Sequence, residues 1–415
     1  MRMIQTCFWN GISVCIRMLT LLGLNKILAM YVGPAGYATL GQFQNAIQMI
    51  MTVASGAFNS GVIRYTAEYA DNPQQQHELW QTAGSLALLG AVMTSAVVIL
   101  FNKSLAVLLF HNKSYGSLFV MLGIALILFV FNTLLLSILN GAKQIKRYVI
   151  ANIAGSVLSF ILTVPLVIGF GLYGALLSLS INQSLCFFAT LWICHRTPGF
   201  KLRYLFGKID SLVAHKLFKY TMMSVVSAVC VPGSQIIVRQ YIGSKLGWEA
   251  AGYWEAMTRL SSAYLLLVTT TLSVYYLPRL SEIKERAQLK IEILQGYKTI
   301  LPMSVILSLV LYIFRSPIIS ILFTHKFQAI QVLFPWQLCG DTLKILSWLL
   351  AYIYLAKGLT RLFIISEICF SIMFVVLVVV LENIFALQGV VMAYAINYFL
   401  YFCFVFISLK FVRIL

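Results

Sequence analysis

Long apolar runs recur from one end of the chain to the other, and many of them are close to 20 residues long. About 20 apolar residues in a helix span the hydrocarbon core of a bilayer. The runs lack the short alternating segments of a transmembrane β-barrel. The pattern therefore predicts an all-α membrane protein with twelve helices, at residues 11–32, 40–62, 81–101, 117–139, 149–169, 174–194, 218–242, 253–277, 298–315, 331–356, 362–381 and 387–409.

Composition supports the same class. Hydrophobic residues make up 60% of the 415 residues and charged residues only 10%, whereas a soluble domain carries about 25% charged residues. Arg17 and Lys26 interrupt the first apolar run, so residues 11–32 are expected to form a retained helix rather than a cleaved signal. The eight cysteines are scattered with no metal-binding spacing, and no cofactor or metal is expected.

Basic residues are distributed unequally between alternate loops. With a cytoplasmic N-terminus, 20 of the 30 Lys and Arg residues fall on the cytoplasmic side. Five fall on the outer side, namely Lys103, Lys113, Lys245, Arg315 and Lys326. The positive-inside rule then predicts that both termini are cytoplasmic. The net charge of +18 is interpreted as an orientation signal that also attracts anionic membrane lipids, rather than as a nucleic-acid-binding surface.

The chain contains a weak internal repeat. Four matches occur in order at offsets of 213 to 216 residues: FNKSLAVLLFHNK (101–113) with FRSPIISILFTHK (314–326), AKQIKR (142–147) with AKGLTR (356–361), LYGA (172–175) with LQGV (387–390), and AGY at 35–37 with AGY at 251–253. Six helices per repeat return the chain to its starting side. The repeat therefore predicts two six-helix bundles, 1–205 and 206–415, related by a pseudo-twofold axis along the membrane normal, which is typical of transporters.

Two pairs of opposite charges lie inside predicted helices. Glu255 and Arg259 are four residues apart, and Asp341 and Lys344 are three residues apart. Either pair could be an ion pair within one helix that serves structure alone. Alternatively, because an ionisable group at mid-bilayer costs about 2.5–3.5 kcal/mol, these residues could line a functional cavity.

Three further cations, Arg17, Lys26 and Arg239, have no oppositely charged neighbour at helical spacing. Snorkelling to the outer surface could explain Lys26 and Arg239, whereas Arg17 lies deeper and is expected to face a cavity. Glu367 is the third intramembrane acid. With five cations and three acids, the predicted interior is cationic on balance, and it suits an anionic cargo such as a phosphate or pyrophosphate.

The second predicted helix carries a mostly polar stripe. Its members recur at spacings of three or four residues and comprise Gln42, Asn45, Met49, Thr52, Ser55, Gly56 and Asn59. Such a stripe indicates either helix–helix packing through small polar residues or a wet wall suited to a hydroxyl-rich ligand, to which Asn45 would contribute.

Four long stretches resemble a known family. They are GPAGY (33–37), FNSGVIRYTAEYADNPQQ (58–75), SVYYLPRLSE (273–282) and the segment from HKFQAIQVLFPWQL to LFIISEI (325–368). The chain is similar along nearly its whole length to O-antigen flippases of the Wzx class, within the multidrug/oligosaccharidyl-lipid/polysaccharide exporter superfamily. The resemblance implies two bundles around a V-shaped cavity that is lined mainly by helices 1, 2, 7 and 8. It also implies transport of an undecaprenyl-pyrophosphate-linked oligosaccharide to the periplasmic leaflet of the bacterial inner membrane.

The resemblance also extends to single residues. Arg17 and Lys26 fall at basic positions of the family, Arg239 matches an arginine of helix 7, and Asp341 and Lys344 match a G-D-x-x-K motif of helix 10. Glu255 and Arg259 have no such match. The expected substrate-binding residues are Arg17, Lys26, Asn45, Arg239, Arg259 and Lys344. The expected ion-coupling residues are Asp341, Glu255 and Glu367.

In the coupling hypothesis, Lys344 holds Asp341 ionised until a proton or a conformational change separates them.

A glycan polymerase and a chain-length regulator are candidate partners. The alternatives are a small-molecule antiporter of the same superfamily, a membrane O-antigen polymerase and a lipid II flippase. The cationic interior argues against an exporter of cationic drugs, and the short loops argue against an enzyme.

Overall fold

The computed structural model describes residues 3–196, 200–272, 276–283 and 285–412. Arg2, Lys284 and Arg413, which are counted above as cytoplasmic basic residues, lie outside the described residues. So do Ser273, Val274 and Tyr275 of the third resemblance stretch. The described residues contain helices and no strand, which confirms the all-α prediction.

Fifteen α-helices are described. In the first half of the chain they are α1 (Met3–Tyr31), α2 (Gly33–Ala54), α3 (Asn59–Glu68), α4 (Pro73–Leu100), α5 (Asn102–Phe110), α6 (Gly116–Gly141) and α7 (Ile145–His195). The second half contains α8 (Ser211–Lys245), α9 (Trp248–Thr271), α10 (Leu277–Glu282), α11 (Arg286–Ile313), α12 (Arg315–Leu322), α13 (Phe334–Ala356), α14 (Thr360–Phe385) and α15 (Leu387–Phe411).

The chain is a multi-pass membrane protein. Nine helical segments in the described part of the chain are long and apolar enough to cross a membrane, or ten if α2 and α3, which are bent by 48°, form one span. Helix α9, which contains Glu249, Glu255, Arg259 and several serine and threonine residues, is not among them. The predicted total of twelve crossings stays a prediction.

Helix α7 covers two of the predicted spans. At 51 residues a straight helix would be about 77 Å long, more than twice the thickness of the hydrocarbon core. The chain breaks at Gly171, where φ is 55° and ψ is −129°. A Cβ at Gly174 would lie 1.9 Å from the Leu166 carbonyl oxygen, although eight residues of straight helix would span about 12 Å. The chain therefore turns back at Gly171, between the predicted helices 149–169 and 174–194.

The internal repeat is visible in the backbone. Ala386 lies 215 residues after Gly171 and has nearly the same conformation, with φ 49° and ψ −136°. A Cβ at Gly389 would lie 2.2 Å from the Leu381 carbonyl oxygen. This close contact corresponds to the one between Gly174 and the Leu166 carbonyl oxygen in the first half. Helices α4 and α11 also have the same length, 28 residues each. Each half of the chain therefore builds the same helical hairpin at the repeated position.

The helices group into two compact units. Unit 1 comprises Met1–Tyr31 and Gln42–Pro232, and unit 2 comprises Val32–Gly41 and Gly233–Leu415. These bounds differ from the predicted 1–205 and 206–415 in two respects. The start of α2 belongs with the second half, whereas residues 206–232, which include the first part of α8, belong with unit 1. The assignment of six spans to each bundle stays a prediction.

Candidate functional site

An ion-pair triad lies inside unit 2. The Arg239 Nη2 of α8 donates to Glu255 Oε2 at 2.6 Å, and the Arg259 Nε donates to the other carboxylate oxygen at 2.7 Å. The side chains of Arg239 and Glu255 are 1% and 6% exposed, whereas that of Arg259 is 18% exposed. The Glu255 carboxylate therefore bridges two guanidinium groups, of which only that of Arg259 retains appreciable exposure.

The start of α2 packs closely against α9 and holds Glu255 in place. A Cβ at Gly252 would lie 1.8 Å from the Pro34 carbonyl oxygen, and a Cβ at Gly41 would lie 2.2 Å from the Glu255 carboxylate. Only glycine permits contacts of this kind between helix backbones. Gly41 therefore allows the carboxylate to sit directly against the α2 backbone.

Aromatic rings flank both guanidinium groups. The Arg239 Cζ lies 5.4 Å from the Trp254 ring centroid, and the Arg259 Cζ lies 5.3 Å from the Tyr37 ring centroid. Tyr37 belongs to the GPAGY stretch and is fully buried. Ring faces attract cations and restrict water around them. One carboxylate between two guanidinium groups leaves a formal surplus of one positive charge, so the triad can attract an anion.

A second polar cluster surrounds Asp341 in the same unit. Its carboxylate accepts from Ser261 Oγ at 2.6 Å, from Tyr394 OH at 2.8 Å and from Gln337 Nε2 at 3.3 Å, and also from Tyr264 OH. Asp341 is 1% exposed. The donors come from α9, α13 and α15, so the carboxylate ties these three helices together.

Lys344 contacts aromatic rings in addition to interacting with its predicted partner Asp341. Its Nζ lies over three aromatic rings, at 4.8 Å from the centroid of Trp348, 5.6 Å from Tyr394 and 5.2 Å from Tyr398. It interacts electrostatically with both Asp341 and Glu367. The hydrogen bonds to Asp341, however, come from the hydroxyl groups and the amide described above. Lys344 therefore acts on Asp341 through the field of its charge, while hydroxyl groups position the carboxylate.

The structure revises the interpretation of Arg239. The sequence offered it no partner at helical spacing, and it left open either snorkelling to the outer surface or a role in substrate binding. Instead its guanidinium is buried and paired with Glu255, 16 residues away on the next helix. The Glu255–Arg259 pair has the geometry expected of neighbours four residues apart.

The remaining predicted binding residues belong to unit 1. Arg17 on α1 is exposed, Lys26 on the same helix is half-buried, and Asn45 on α2 is buried. Gln42 and Ser55 of the polar stripe are buried as well, which is compatible with packing at these two positions. The binding roles of Arg17, Lys26 and Asn45 stay predictions.

Several residues of the two clusters were not found from the sequence. Ser261, Tyr264 and Tyr394 contact Asp341 from other helices, and no spacing along the chain connects them with it. Gln337 lies four residues before Asp341 on α13, so helical periodicity could have indicated that contact. In the described part of the chain, no group of three or more His, Cys, Asp or Glu side chains could hold a metal ion.

Two solved structures share this fold over nearly the whole chain. An inward-facing conformation of a multidrug resistance MATE family transporter of the MOP superfamily aligns with a TM-score of 0.78 and 15% identity, over 97% of this chain and 98% of that one. An outward-facing conformation of such a transporter aligns with a TM-score of 0.74 and 16% identity, over 99% of this chain and 95% of that one. The chain therefore has the fold of MOP-superfamily transporters.

Sequence comparison gives the family. Residues 27–332 match the family described as polysaccharide biosynthesis protein. Two curated relatives, the Lipid III flippases of Escherichia coli (strain K12) and Shigella flexneri, are each 28% identical over 403 residues, which is 97% of this chain and 97% of each relative. The chain belongs to the polysaccharide biosynthesis protein family, and the resemblance found from its motifs is confirmed.

Proposed function

We propose that this chain is a flippase for a lipid-linked oligosaccharide. It moves an undecaprenyl-pyrophosphate-linked glycan from the cytoplasmic to the periplasmic leaflet of the bacterial inner membrane by alternating access, and it leaves the cargo chemically unchanged. The relatives called Lipid III flippase and the MOP-superfamily fold support this function. The observation that carries it is the triad of Arg239, Glu255 and Arg259, which places surplus positive charge inside a membrane-embedded unit.

Arg259 is the proposed contact for the pyrophosphate within unit 2. The Arg259 Nε donates a hydrogen bond to Glu255, which fixes the direction of the guanidinium. A guanidinium can bind phosphate oxygens in pairs. Arg239 is buried, so we assign it a positioning role through Glu255 rather than direct contact. Glu255, between two guanidinium groups, is better suited to positioning than to the ion coupling expected from the sequence. Arg17, Lys26, Asn45 and Lys344 remain proposed contacts for the cargo.

The cluster around Asp341 gives a route for ion coupling. Ser261 and Tyr264, which donate to Asp341, lie on α9 together with Arg259. A protonated Asp341 would accept fewer hydrogen bonds and would hold α9 less firmly. Protonation could thereby change the position of Arg259, and we propose that this links the proton gradient to release of the cargo.

The proposed contact is tested by replacing Arg259 in a cell that depends on this chain for glycan display. Arg259→Ala is expected to reduce surface glycan at least about tenfold, because a hydrogen bond to a charged group contributes roughly 1.5–3 kcal/mol. Lipid-linked units should accumulate on the cytoplasmic leaflet. Arg259→Lys should restore display only in part, since an ammonium cannot form the paired contact.

The exposed Arg286 provides a matched control, and Arg286→Ala should display glycan normally. The amount of each variant in the membrane is measured in parallel. Normal display by Arg259→Ala at normal abundance would remove Arg259 from the binding role. Export of cationic drugs by the unaltered chain, together with glycan display that does not depend on the chain, would favour the antiporter alternative.

A further inference from the structure

The segment between the two halves is firmly docked on unit 1. Residues 200–212 form this linker strap. A Cβ at Gly84 of α4 would lie 2.0 Å from the Leu205 carbonyl oxygen, so the strap contacts the helix backbone. Ser85 Oγ also donates to the Gly207 carbonyl oxygen at 3.0 Å. The strap therefore has a fixed inner side.

Aromatic packing strengthens that inner side. The His77 ring of α4 stacks on Tyr204 with centroids 3.8 Å apart, and Trp80 lies 6.0 Å from Phe200. Phe200 and Leu205 are buried. Because these residues lie within the strap, its other side chains are presented in a defined arrangement.

The outer side of the strap combines apolar and basic residues. Its exposed side chains are Lys201, Leu202, Arg203, Phe206, Lys208, Ile209, Asp210, Ser211 and Leu212. The Asp210 carboxylate accepts from the Val213 backbone N–H at 2.8 Å, so the exposed charges of the strap are three cations and one acid that is used at the start of α8. Leu212 is 76% exposed and Phe206 is 45% exposed. Large apolar side chains next to lysine and arginine are typical of segments that lie in the interface between water and lipid.

The end of α7 also indicates that this part of the chain lies at the interface between water and lipid. Trp192, three residues before the helix ends, is 58% exposed on a membrane-spanning helix. The Arg196 Cζ lies 3.9 Å from its ring centroid. Exposed tryptophan is enriched at the level of the lipid headgroups, where arginine also meets phosphate. The strap begins four residues after Arg196, so its outer side is placed close to the headgroups.

We propose that the linker strap is a binding surface for anionic phospholipids. Leu202, Phe206, Ile209 and Leu212 enter the outer part of the leaflet, while Lys201, Arg203 and Lys208 bind the phosphate groups. Since α8 starts within the strap at Ser211, bound lipid fixes the start of the helix that leads into unit 2. This inference is independent of the cargo that is transported.

The purified protein can be tested in nanodiscs that contain either phosphatidylcholine alone or phosphatidylcholine with phosphatidylglycerol. Phosphatidylglycerol is expected to raise the thermal unfolding midpoint and to remain bound in native mass spectra. The variant K201Q/R203Q/K208Q should lose most of both effects, because each basic residue near an anionic surface contributes on the order of fivefold in affinity. Leu212→Ser should weaken lipid retention with the charges intact.

The control is K103Q/K113Q/K326Q. It removes three exposed basic residues that are predicted to lie on the non-cytoplasmic side of the membrane, away from the strap. It should retain the full effect of phosphatidylglycerol. An unchanged effect in K201Q/R203Q/K208Q would overturn the proposal. So would an equal rise in the midpoint with inorganic phosphate in place of the lipid, since that would show simple anion binding. Both readouts are independent of transport, so they separate this proposal from the flippase assignment.

Discussion

Replacing Glu255 with glutamine is expected to cause a large loss of stability and of transport. The variant keeps the shape of the side chain but removes the charge that neutralises Arg239, whose guanidinium is 1% exposed. Removing one partner of a buried ion pair typically costs about 3–5 kcal/mol. Thermal unfolding of the purified protein and glycan display in cells both measure the effect.

Glu68→Gln is a suitable control because it removes the carboxylate of the exposed Arg64–Glu68 pair, whose N–O distance is 3.9 Å. Surface pairs contribute roughly 0–1 kcal/mol, so this variant should unfold close to the unaltered protein. The double variant Arg239→Gln/Glu255→Gln should be more stable than the sum of the single effects predicts. Strictly additive losses would contradict a direct interaction between Arg239 and Glu255.

Replacing Asp341 with asparagine is expected to abolish the dependence of transport on the proton gradient. Asparagine resembles a protonated aspartate, so the variant should remain in the state that holds α9 less firmly. Coupling free energies of about 1–3 kcal/mol correspond to roughly 5–150-fold changes. The rate of gradient-driven flipping should therefore decrease by a factor in this range. The measurement is glycan flipping in cells across a series of external pH values.

Asp71, which is exposed, offers a control for the Asp341 variant. Asp71→Asn should flip glycan with the same pH dependence as the unaltered chain. Flipping by Asp341→Asn that is normal at every external pH would remove the coupling role. If Asp341→Asn does not reach the membrane, Tyr394→Phe takes its place in the test. This variant removes one hydrogen bond to the Asp341 carboxylate and should weaken the pH dependence of flipping in part.

The helices and the repeat could be predicted because both depend on local sequence. Runs of apolar residues set the helices, and the offset of about 215 residues reappears in the backbone at Gly171 and Ala386. The reversal at Gly171 within one continuous run of helix was also placed correctly, between the predicted spans that end at 169 and begin at 174. Local signals therefore sufficed for the all-α fold and for the helical hairpin that recurs in each half.

The candidate site was only partly predictable. Glu255 and Arg259 are neighbours on one helix, so their spacing indicated the pair. The contact between Arg239 and Glu255 joins two helices, and its formation depends on how α8 and α9 pack. The hydroxyl groups around Asp341 could not be predicted for the same reason, because they come from other helices. Spacing suggested Lys344 as a partner of Asp341, and the two charges do interact, but spacing gave no sign of the aromatic rings that surround the lysine.

The boundary between the two halves shows the same limit. Residues 195–216 are rich in charged side chains and lie between the predicted helices 174–194 and 218–242, so the sequence indicates a polar connection there. Docking of the strap depends on Gly84, whose missing side chain admits the Leu205 carbonyl. A single glycine in an apolar helix gives no signal of what will pack against it.

The most direct test of the flippase assignment is the movement of an undecaprenyl-pyrophosphate-linked oligosaccharide between the leaflets of proteoliposomes that contain only this protein. A membrane-impermeant glycosidase reports the fraction of glycan that reaches the outer leaflet. The unaltered chain should move this lipid, but not a matched lipid without the pyrophosphate, and Arg259→Ala should be slow with both. Movement no faster than in protein-free liposomes, or equal movement of both lipids, would contradict a flippase that recognises its cargo through the charged head.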